Sequence, residues 1–137
     1  MENSYNPYSK FFVGAALLTK EDEIITGTNV ENAAYGDAIC AERSAIVRAN
    51  AMGHRIFKSI AIITKGEGFD TTEPSAPCGS CRQVLYEFSQ IAEKDLEIIL
   101  SSTKKDKIEV TSINELVPSG FGPKDLGIDV KKYQEII

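Results

Sequence analysis

The chain has 137 residues, of which 42% are hydrophobic and 26% charged, and its 15 Lys and Arg against 20 Asp and Glu give a net charge of −5. This length predicts a single domain over residues 1–137, the hydrophobic fraction excludes a disordered chain, and no apolar run reaches the roughly 18 residues that a membrane span needs. The acidic balance and the lack of any basic block argue against nucleic acid and membranes as partners.

The first half of the sequence predicts a hairpin followed by a helix. Phe11–Thr19 is a near-continuous apolar run short enough for a buried strand, and Ile24–Asn29 follows it after a polar turn. After a loop, Ile39–Met52 places small and apolar residues on one stripe and ends at Gly53, which predicts a helix.

The second half alternates strands with helices. The predicted elements are a strand at Ser59–Thr64, a helix at Cys78–Ser89, strands at Leu96–Leu100 and Lys107–Val110, and a short helix at Ile113–Val117. A long loop, Lys65–Pro77, lies between the first two of these. Helices alternating with strands in a chain this short predict an α/β fold, a three-layer α-β-α sandwich around a central mixed sheet of about five strands.

Three cysteines and one histidine, His54, are the residues that need a chemical explanation. Met1–Lys10 lacks the basic start and apolar core of a secretory signal, so we expect a cytoplasmic protein. Because thiols stay reduced there, an odd number of cysteines indicates metal ligation, catalysis or burial rather than disulfides. His54 follows Cys40 by about 20 Å at roughly 1.5 Å of helix rise per residue, and we expect it at the surface, outside any site.

Cys78 and Cys81 form a Cys-x-x-Cys motif after Pro77, at the start of a predicted helix. Residues three apart share a helix face, and a helix N-terminus favours the thiolate. Alone, the motif is equally typical of a structural zinc site, a redox pair or two buried small residues. Cys40 begins the other long helix, so if both helices start at one sheet edge, the three thiols can surround one ion and leave a fourth position open, as in catalytic zinc sites.

Glu42 follows Cys40 by two residues, on the first turn of the same predicted helix. A carboxylate at this position can exchange protons with water at an open metal position, although a first-turn acid that only complements the helix dipole is common. Cys-Ala-Glu together with Pro-Cys-x-x-Cys matches the zinc deaminase signature in which a cysteine replaces the histidine ligand.

The sequence resembles the zinc-dependent cytidine deaminases, in their small, all-cysteine, homotetrameric branch. The resemblance covers nearly the whole chain and runs, in the family's order and spacing, through Pro7–Thr19, Gly27–Ala45, Ala76–Phe88 and Asn114–Leu126. It implies hydrolytic deamination of cytidine and 2′-deoxycytidine to uridine and 2′-deoxyuridine, with release of ammonia, in pyrimidine salvage.

The resemblance also implies the roles of particular residues. One zinc ion per chain would be held by Cys40, Cys78 and Cys81, and the zinc-bound hydroxide would attack C4 of cytosine while Glu42 shuttles protons. Arg43 would hydrogen-bond the thiolates and withdraw charge from them. Arg82, next to Cys81, could by residue type do the same, and solvation at the surface is the alternative for both arginines. The residues expected to bind the nucleoside are Phe11, Asn29, Glu31, Ala41 and Tyr35, together with Phe121 from a neighbouring subunit of a homotetramer.

Family members carry a helix before the segment that matches Pro7, whereas only residues 1–6 precede it here. With that helix missing or shortened, one face of the sheet needs another cover. We expect the tail, Ile128–Ile137, to cover part of this face, because its apolar residues have near-helical spacing, namely Val130, Tyr133, Ile136 and Ile137.

Three other functions fit parts of the pattern. A deaminase of another cytosine nucleoside, such as blasticidin S, would keep the chemistry, but Asn29, Glu31 and the segment around Phe121 favour the ordinary nucleoside. A non-catalytic zinc-stabilised binding module would not need Glu42. An enzyme that edits RNA or DNA is disfavoured by the net charge of −5 and the lack of a basic groove.

Overall fold

The computed structural model describes residues 1–135 as a mixed β-sheet with helices. The strands are β1 (Phe11–Thr19), β2 (Ile24–Thr28), β3 (Phe57–Gly66), β4 (Phe69–Asp70), β5 (Glu97–Ser101) and β6 (Ile108–Ser112). The helices are α1 (Ala41–Ala51), α2 (Gly79–Ala92) and α3 (Ile113–Leu116), with short 3-10 turns at Tyr35–Asp37, Pro123–Leu126 and Val130–Tyr133. None of these helices is both long and apolar enough to cross a membrane.

The sheet has the strand order β2-β1-β3-β5-β6, and the two-residue strand β4 pairs with the end of β3. β1 runs antiparallel to β2 and β3, whereas β3 and β5 are parallel and are joined through α2. The predicted α/β class with a mixed sheet of about five strands is therefore confirmed. β4 is not among the predicted strands, because two residues are too few to show a periodic pattern.

One hydrophobic core joins a single face of the sheet to both long helices. The inward positions of β1 and β3 face each other in register, with Ala15 opposite Ile62 and Leu17 opposite Ile60. They pack in one cluster with buried residues of the helices and of β5, including Ala45, Ile46, Ala49, Leu85, Ile98 and Leu100. Since α1 and α2 share this cluster, they lie side by side on the same face.

Gly27 of β2 allows the first turns of α1 to lie directly on the sheet. A Cβ added at Gly27 would lie 2.4 Å from the backbone nitrogen of Ala45 and 2.6 Å from the carbonyl oxygen of Ala41. Both are backbone atoms, which no rotamer change can move away. The absence of a side chain at Gly27 therefore sets how closely the start of α1 approaches β2.

The opposite face of the sheet carries no helix within residues 1–135, so the described part of the chain shows one helical layer rather than two. The first three residues, Met1–Asn3, lie across this face beside Gly14. A cavity of about 550 Å³ remains there. Its apolar lining includes Ala16, Ala61, Ile63, Ile99 and Ile108.

The prediction that the tail covers this open face is wrong for the residues that the structure describes. Val130 is buried, and Gln134 Nε2 donates to the carbonyl oxygen of Ile91 at 3.0 Å, so this part of the tail packs on α2. The tail lies near apolar side chains of α2 such as Phe88, on the side of the sheet that carries the helices. Ile136 and Ile137 lie outside the described residues.

Candidate active site and metal centre

The three cysteines meet where α1 and α2 begin at the same edge of the sheet. Cys40 and Cys78 are the N-cap residues of α1 and α2, and Cys81 lies in the first turn of α2. Cys40 Sγ is 3.8 Å from Cys78 Sγ, and all three sulfur atoms lie within 4.8 Å of one another. The expectation that both helices start at one edge and bring the thiols together is confirmed.

The spacing of the sulfur atoms fits a zinc ion. Tetrahedral coordination with Zn–S bonds of about 2.3 Å places two ligand sulfurs about 3.8 Å apart, which matches the separation of Cys40 and Cys78. Within residues 1–135, the group of possible metal ligands contains these three cysteines and no fourth residue. Three thiolates with one open position are the arrangement expected of a catalytic rather than a structural zinc site.

Glu42 lies beside the cysteines and is almost completely buried. Its side chain is on the first turn of α1, the residue is 5% exposed, and Oε2 lies 3.6 Å from Cys81 Sγ. Burial raises the pKa of this carboxyl above its ordinary value. A first-turn acid that only complemented the helix dipole would face solvent, so that alternative does not fit Glu42.

Arg43 places a positive charge next to the thiols. Its Nη2 donates to Cys40 Sγ at 3.5 Å, and hydrogen bonds to Cys40 and Cys81 raise the pKa of the guanidinium. Without a metal, hydrogen bonds from Cys81 and Arg43 lower the pKa of Cys40 to about 5. The pKa of Cys81 is raised, because its proton is shared with Cys40 and the thiol is buried.

A cavity of about 270 Å³ opens beside this cluster. Cys40 and Glu42 are part of its wall, so one of the three thiols and the carboxylate face a space that a small ligand can enter. The other lining residues are Phe11, Val13, Asn29, Glu31, Ala38, Ile39, Ile62, Thr64, Ser75 and Ala76. The structure therefore brings three of the predicted substrate-binding residues, Phe11, Asn29 and Glu31, to the metal centre.

Residues 1–94 match the family described as the cytidine and deoxycytidylate deaminase zinc-binding region. The chain belongs to this family. It is 42% identical over 125 residues to the cytidine deaminase of Halalkalibacterium halodurans, covering 91% of this chain and 88% of that protein. It is 43% identical over 125 residues to that of Sporosarcina psychrophila, covering 91% and 85%. A crystal structure of cytidine deaminase from Burkholderia pseudomallei superposes with a TM-score of 0.77 at 43% identity, covering 88% of this chain and 89% of that one.

Two of the deaminase cavity residues are held in place by backbone hydrogen bonds. Asn29 Oδ1 accepts from the Val13 N–H and Nδ2 donates to the Phe11 carbonyl, both at 2.9 Å. Glu31 Oε1 accepts from the backbone N–H groups of Tyr8 and Ser9 at 3.0 and 3.2 Å, and hydrogen bonding at Ser9 lowers the pKa of the carboxyl. Within residues 1–135 these hydrogen bonds use one N–H of the Asn29 amide and Oε1 of Glu31, so the second N–H and Oε2 are the atoms with which a ligand could pair.

The other three predicted substrate-binding residues are not among the described residues that line this cavity. Ala41 is fully buried in the first turn of α1. Tyr35 is 74% exposed, and its ring lies 5.3 Å from that of Tyr8, in a neighbouring depression that shares Glu31 and Ala38 with the cavity. Phe121 is 59% exposed, in a loop over α2 where Gln83 Nε2 donates to its carbonyl at 2.9 Å.

The remaining two candidates have structural contacts away from the thiols. Arg82 Nε donates to the carbonyl of Pro77 at 2.7 Å, so this side chain neither contacts a thiolate nor simply faces solvent. His54 lies outside the site, as predicted, at a partly exposed position beside two exposed glutamates. Its side chain is 15% exposed and lies 3.3 Å from Glu21 Oε2 and 3.0 Å from Glu23 Oε2.

Several cavity residues are not among the predicted site residues. Val13, Ile62 and Thr64 occupy inward positions near the ends of β1 and β3, a placement that alternation along the two strands could have indicated. Ser75 and Ala76 immediately precede Pro77 and the Cys-x-x-Cys motif. Their position in the cavity wall depends on the path of a loop, for which the sequence carries no periodic signal.

Proposed function

We propose that this chain is a zinc-dependent hydrolase that deaminates cytidine and 2′-deoxycytidine to uridine and 2′-deoxyuridine, with release of ammonia. The observation that carries this conclusion is the group of three thiols within 4.8 Å of one another, next to buried Glu42 at one wall of a ligand-sized cavity. Membership of the deaminase family and the curated relatives at 42% and 43% identity support the same reaction.

In the proposed site, Cys40, Cys78 and Cys81 hold one zinc ion as thiolates. A zinc ion bound there supplies Lewis acidity that makes water a usable nucleophile near neutral pH. Because three thiolates and one divalent ion carry a net charge of −1, this Lewis acidity is weaker than at a site with neutral histidine ligands. The guanidinium of Arg43, hydrogen-bonded to Cys40, draws negative charge from the sulfur and offsets part of that loss.

Glu42 is the residue that we propose moves protons. In the reaction a C–O bond forms at C4 of the cytosine ring and the bond between C4 and the exocyclic nitrogen breaks. Glu42 accepts a proton from the attacking water and delivers it to ring nitrogen N3. It then moves the proton of the new C4 hydroxyl to the exocyclic nitrogen, which leaves as ammonia as the C4=O double bond forms. The raised pKa of the buried carboxyl suits a group that must both take up and release a proton.

The cavity suits an uncharged nucleoside rather than a nucleotide. No Lys or Arg occurs among the described residues that line it, so a phosphate would have no cation to pair with. We propose that the second N–H of Asn29 and Oε2 of Glu31 bind the ribose hydroxyls, and that the ring of Phe11 packs against the nucleoside. The backbone of Ala41 is proposed to meet the polar edge of the base.

We further propose that the protein assembles as a homotetramer in which Phe121 completes the site of a neighbouring subunit. Phe121 is a large exposed apolar side chain, and its loop is held by Gln83 and by Tyr86, whose hydroxyl donates to the Gly120 carbonyl at 3.4 Å. Tyr35, exposed beside the cavity of its own chain, would lie at the subunit boundary. The proposed setting is pyrimidine salvage in the cytoplasm.

The experiment that tests this function measures the turnover of cytidine and the zinc content of the same protein samples. Zinc-loaded protein should convert cytidine to uridine, seen as a change in ultraviolet absorbance, with one ammonia released per uridine and close to one zinc per chain. Cys78→Ala should lose both zinc and turnover, whereas Ser80→Ala, on the same helical turn, should keep both. If the zinc-loaded wild type leaves cytidine unchanged, the proposed function is wrong. If Cys78→Ala keeps its zinc and its turnover, the ligand assignment is wrong.

A further inference from the structure

The segment between β4 and α2 forms one wall of the active-site cavity. It begins after Asp70, contributes Ser75 and Ala76 to the cavity wall, and ends at Cys78, the N-cap of α2 and a proposed zinc ligand. A segment of this kind has no helix or strand of its own to hold it. The contacts that attach it to the sheet therefore decide where Ser75 and Ala76 lie.

Three threonine side chains attach the start of this segment to the sheet, and we name them the threonine clamp: Thr64, Thr71 and Thr103. The Thr71 hydroxyl contacts the Thr64 hydroxyl at 3.0 Å and the Thr64 carbonyl oxygen at 3.1 Å. The Thr103 hydroxyl donates to the same carbonyl at 2.6 Å. The Thr71 N–H donates to Thr103 Oγ1 at 2.7 Å, and the Thr103 N–H donates to the Thr71 carbonyl at 3.3 Å.

The hydrogen bonds of the clamp are mutually compatible. Thr64 can donate to Thr71 Oγ1, while Thr71 and Thr103 each donate to the Thr64 carbonyl, whose two lone pairs are then both used. This carbonyl is available because β5 ends at Ser101, opposite Ile63, and β4 pairs with β3 at Lys65 and Gly66, beyond Thr64. In this arrangement each of the three hydroxyl groups donates one hydrogen bond to a partner within the clamp. The clamp is therefore a complete hydrogen-bond network, partly buried next to the cavity.

The clamp is also in direct contact with the cavity. Thr64 is 2% exposed and is itself a lining residue, so the network joins a cavity residue on β3 to the start of the segment that contributes Ser75 and Ala76. Two exposed ion pairs flank the segment, Lys104 with Asp70 and Lys107 with Glu73. Exposed pairs of this kind contribute little to stability, so they cannot replace the hydroxyl network.

We propose that Thr71 and Thr103 are positioning residues that set the width of the nucleoside cavity by holding the wall at Ser75 and Ala76 against β3. This inference rests on the proposed function, since it concerns the same cavity. Neither hydroxyl touches the reacting atoms. Their loss should weaken nucleoside binding while leaving the metal ligands and the proton-carrying carboxylate in place.

The test compares isosteric variants that remove one hydroxyl at a time. Thr71→Val and Thr103→Val should each raise KM for cytidine by about three- to tenfold, the size expected for one buried hydrogen bond, with kcat within about twofold and one zinc per chain. Thr71→Ser keeps the hydroxyl, so its KM for cytidine should stay near the wild-type value. Thr19→Val is the matched control. Thr19 is fully buried and its Oγ1 accepts from Glu23 N–H at 3.0 Å, at the far end of β1, so this variant should lower Tm without changing KM.

Two measurements that need no turnover separate the outcomes. Binding of the product uridine by Thr71→Val should weaken by the same factor as KM rises, and the backbone amides of residues 73, 75 and 76 should exchange hydrogen faster than in wild type. A wild type that neither turns over cytidine nor binds uridine would overturn the proposed function. The amide exchange rates of Thr71→Val and wild type would then still show whether the clamp holds the segment in place. Variants with wild-type KM, uridine affinity and amide exchange would overturn the clamp alone.

Discussion

The carboxylate of Glu42 lies 3.6 Å from the sulfur of Cys81, although 39 residues separate the two in the sequence. The contact joins the first turn of α1 to the first turn of α2. The proposed proton carrier and a proposed metal ligand are therefore positioned by the same pair of helix N-termini. Anything that moves α1 on the sheet, or changes the charge around the thiols, should alter the chemistry at this contact.

Replacing Gly27 by alanine should displace the start of α1. The new Cβ would meet backbone atoms of Ala41 and Ala45 at 2.6 and 2.4 Å, so the helix must shift away from β2. We expect Gly27→Ala to lower the free energy of unfolding by about 1–3 kcal/mol and to reduce zinc content and turnover together. Gly36→Ala is the control, because nothing lies within 4 Å of a Cβ there. Equal Tm and equal zinc content in both variants would contradict the close approach described for Gly27.

Removing the charge of Arg43 should slow catalysis more than it weakens folding. Arg43→Gln loses the donor to Cys40 Sγ, so the thiolates keep more negative charge and a bound metal becomes a weaker Lewis acid. Outer-sphere changes of this kind typically cost roughly 10- to 100-fold in activity or metal affinity. Arg48 is on the same helix, and its guanidinium donates to the Thr26 carbonyl. Arg48→Gln should therefore keep kcat and zinc affinity near the wild-type values. Wild-type kcat and zinc affinity in Arg43→Gln would show that this arginine does not tune the site.

The pH dependence of kcat should report the burial of Glu42. Burial raises the pKa of this carboxyl, and the side chain must be ionised to accept a proton from water. Activity should therefore be lost as the pH falls through that raised pKa, at a higher pH than the usual value of about 4.3 for glutamate. Zinc content must be measured at each pH, since protonation of thiolates also releases metal. Full activity at pH 4.3 with zinc retained would contradict this prediction.

A shared active site predicts complementation between two impaired variants. Phe121→Ala should raise KM for cytidine about tenfold or more through the loss of a large apolar contact. Leu126→Ala, at an exposed apolar residue in the next turn, is the control. Co-expressed Phe121→Ala and Glu42→Gln chains should regain activity, because some sites combine Glu42 of one subunit with Phe121 of another. Activity no greater than the sum of the separate variants, or a monomer in sedimentation, would contradict the proposal.

The parts of the fold that were predictable are those with periodic sequence. Phe11–Thr19 was predicted to the residue, because an apolar run ends at a polar turn on one side and follows Lys10 on the other. The helix predicted at Ile39–Met52 begins two residues later, at Ala41. Cys40 has an extended backbone with φ −70° and ψ 157°, which makes it the N-cap, and an N-cap cysteine cannot be distinguished from a first helical residue by spacing alone.

The metal cluster was predictable because its three ligands and Glu42 lie in short motifs at helix starts. The cavity wall at Ser75 and Ala76 was not predictable, because its position depends on the path of the segment between β4 and α2. That path follows from side-chain hydrogen bonds of Thr71 and Thr103 to β3, which have no periodic signature. The tail was misplaced for a similar reason. The apolar spacing of Val130 and Tyr133 indicates a buried face, but it does not say whether the partner is the open sheet face or α2.

The proton transfer proposed for Glu42, beside a three-thiolate metal site, is the step on which the deamination of cytidine depends. It is tested most directly by zinc-loaded wild type and Glu42→Gln assayed side by side for uridine and ammonia formed from cytidine. Glu42→Gln should retain one zinc per chain and lose at least about 10²–10⁴ in kcat, while the surface control Glu109→Gln keeps wild-type kcat. Equal turnover by Glu42→Gln with zinc in place would contradict the claim.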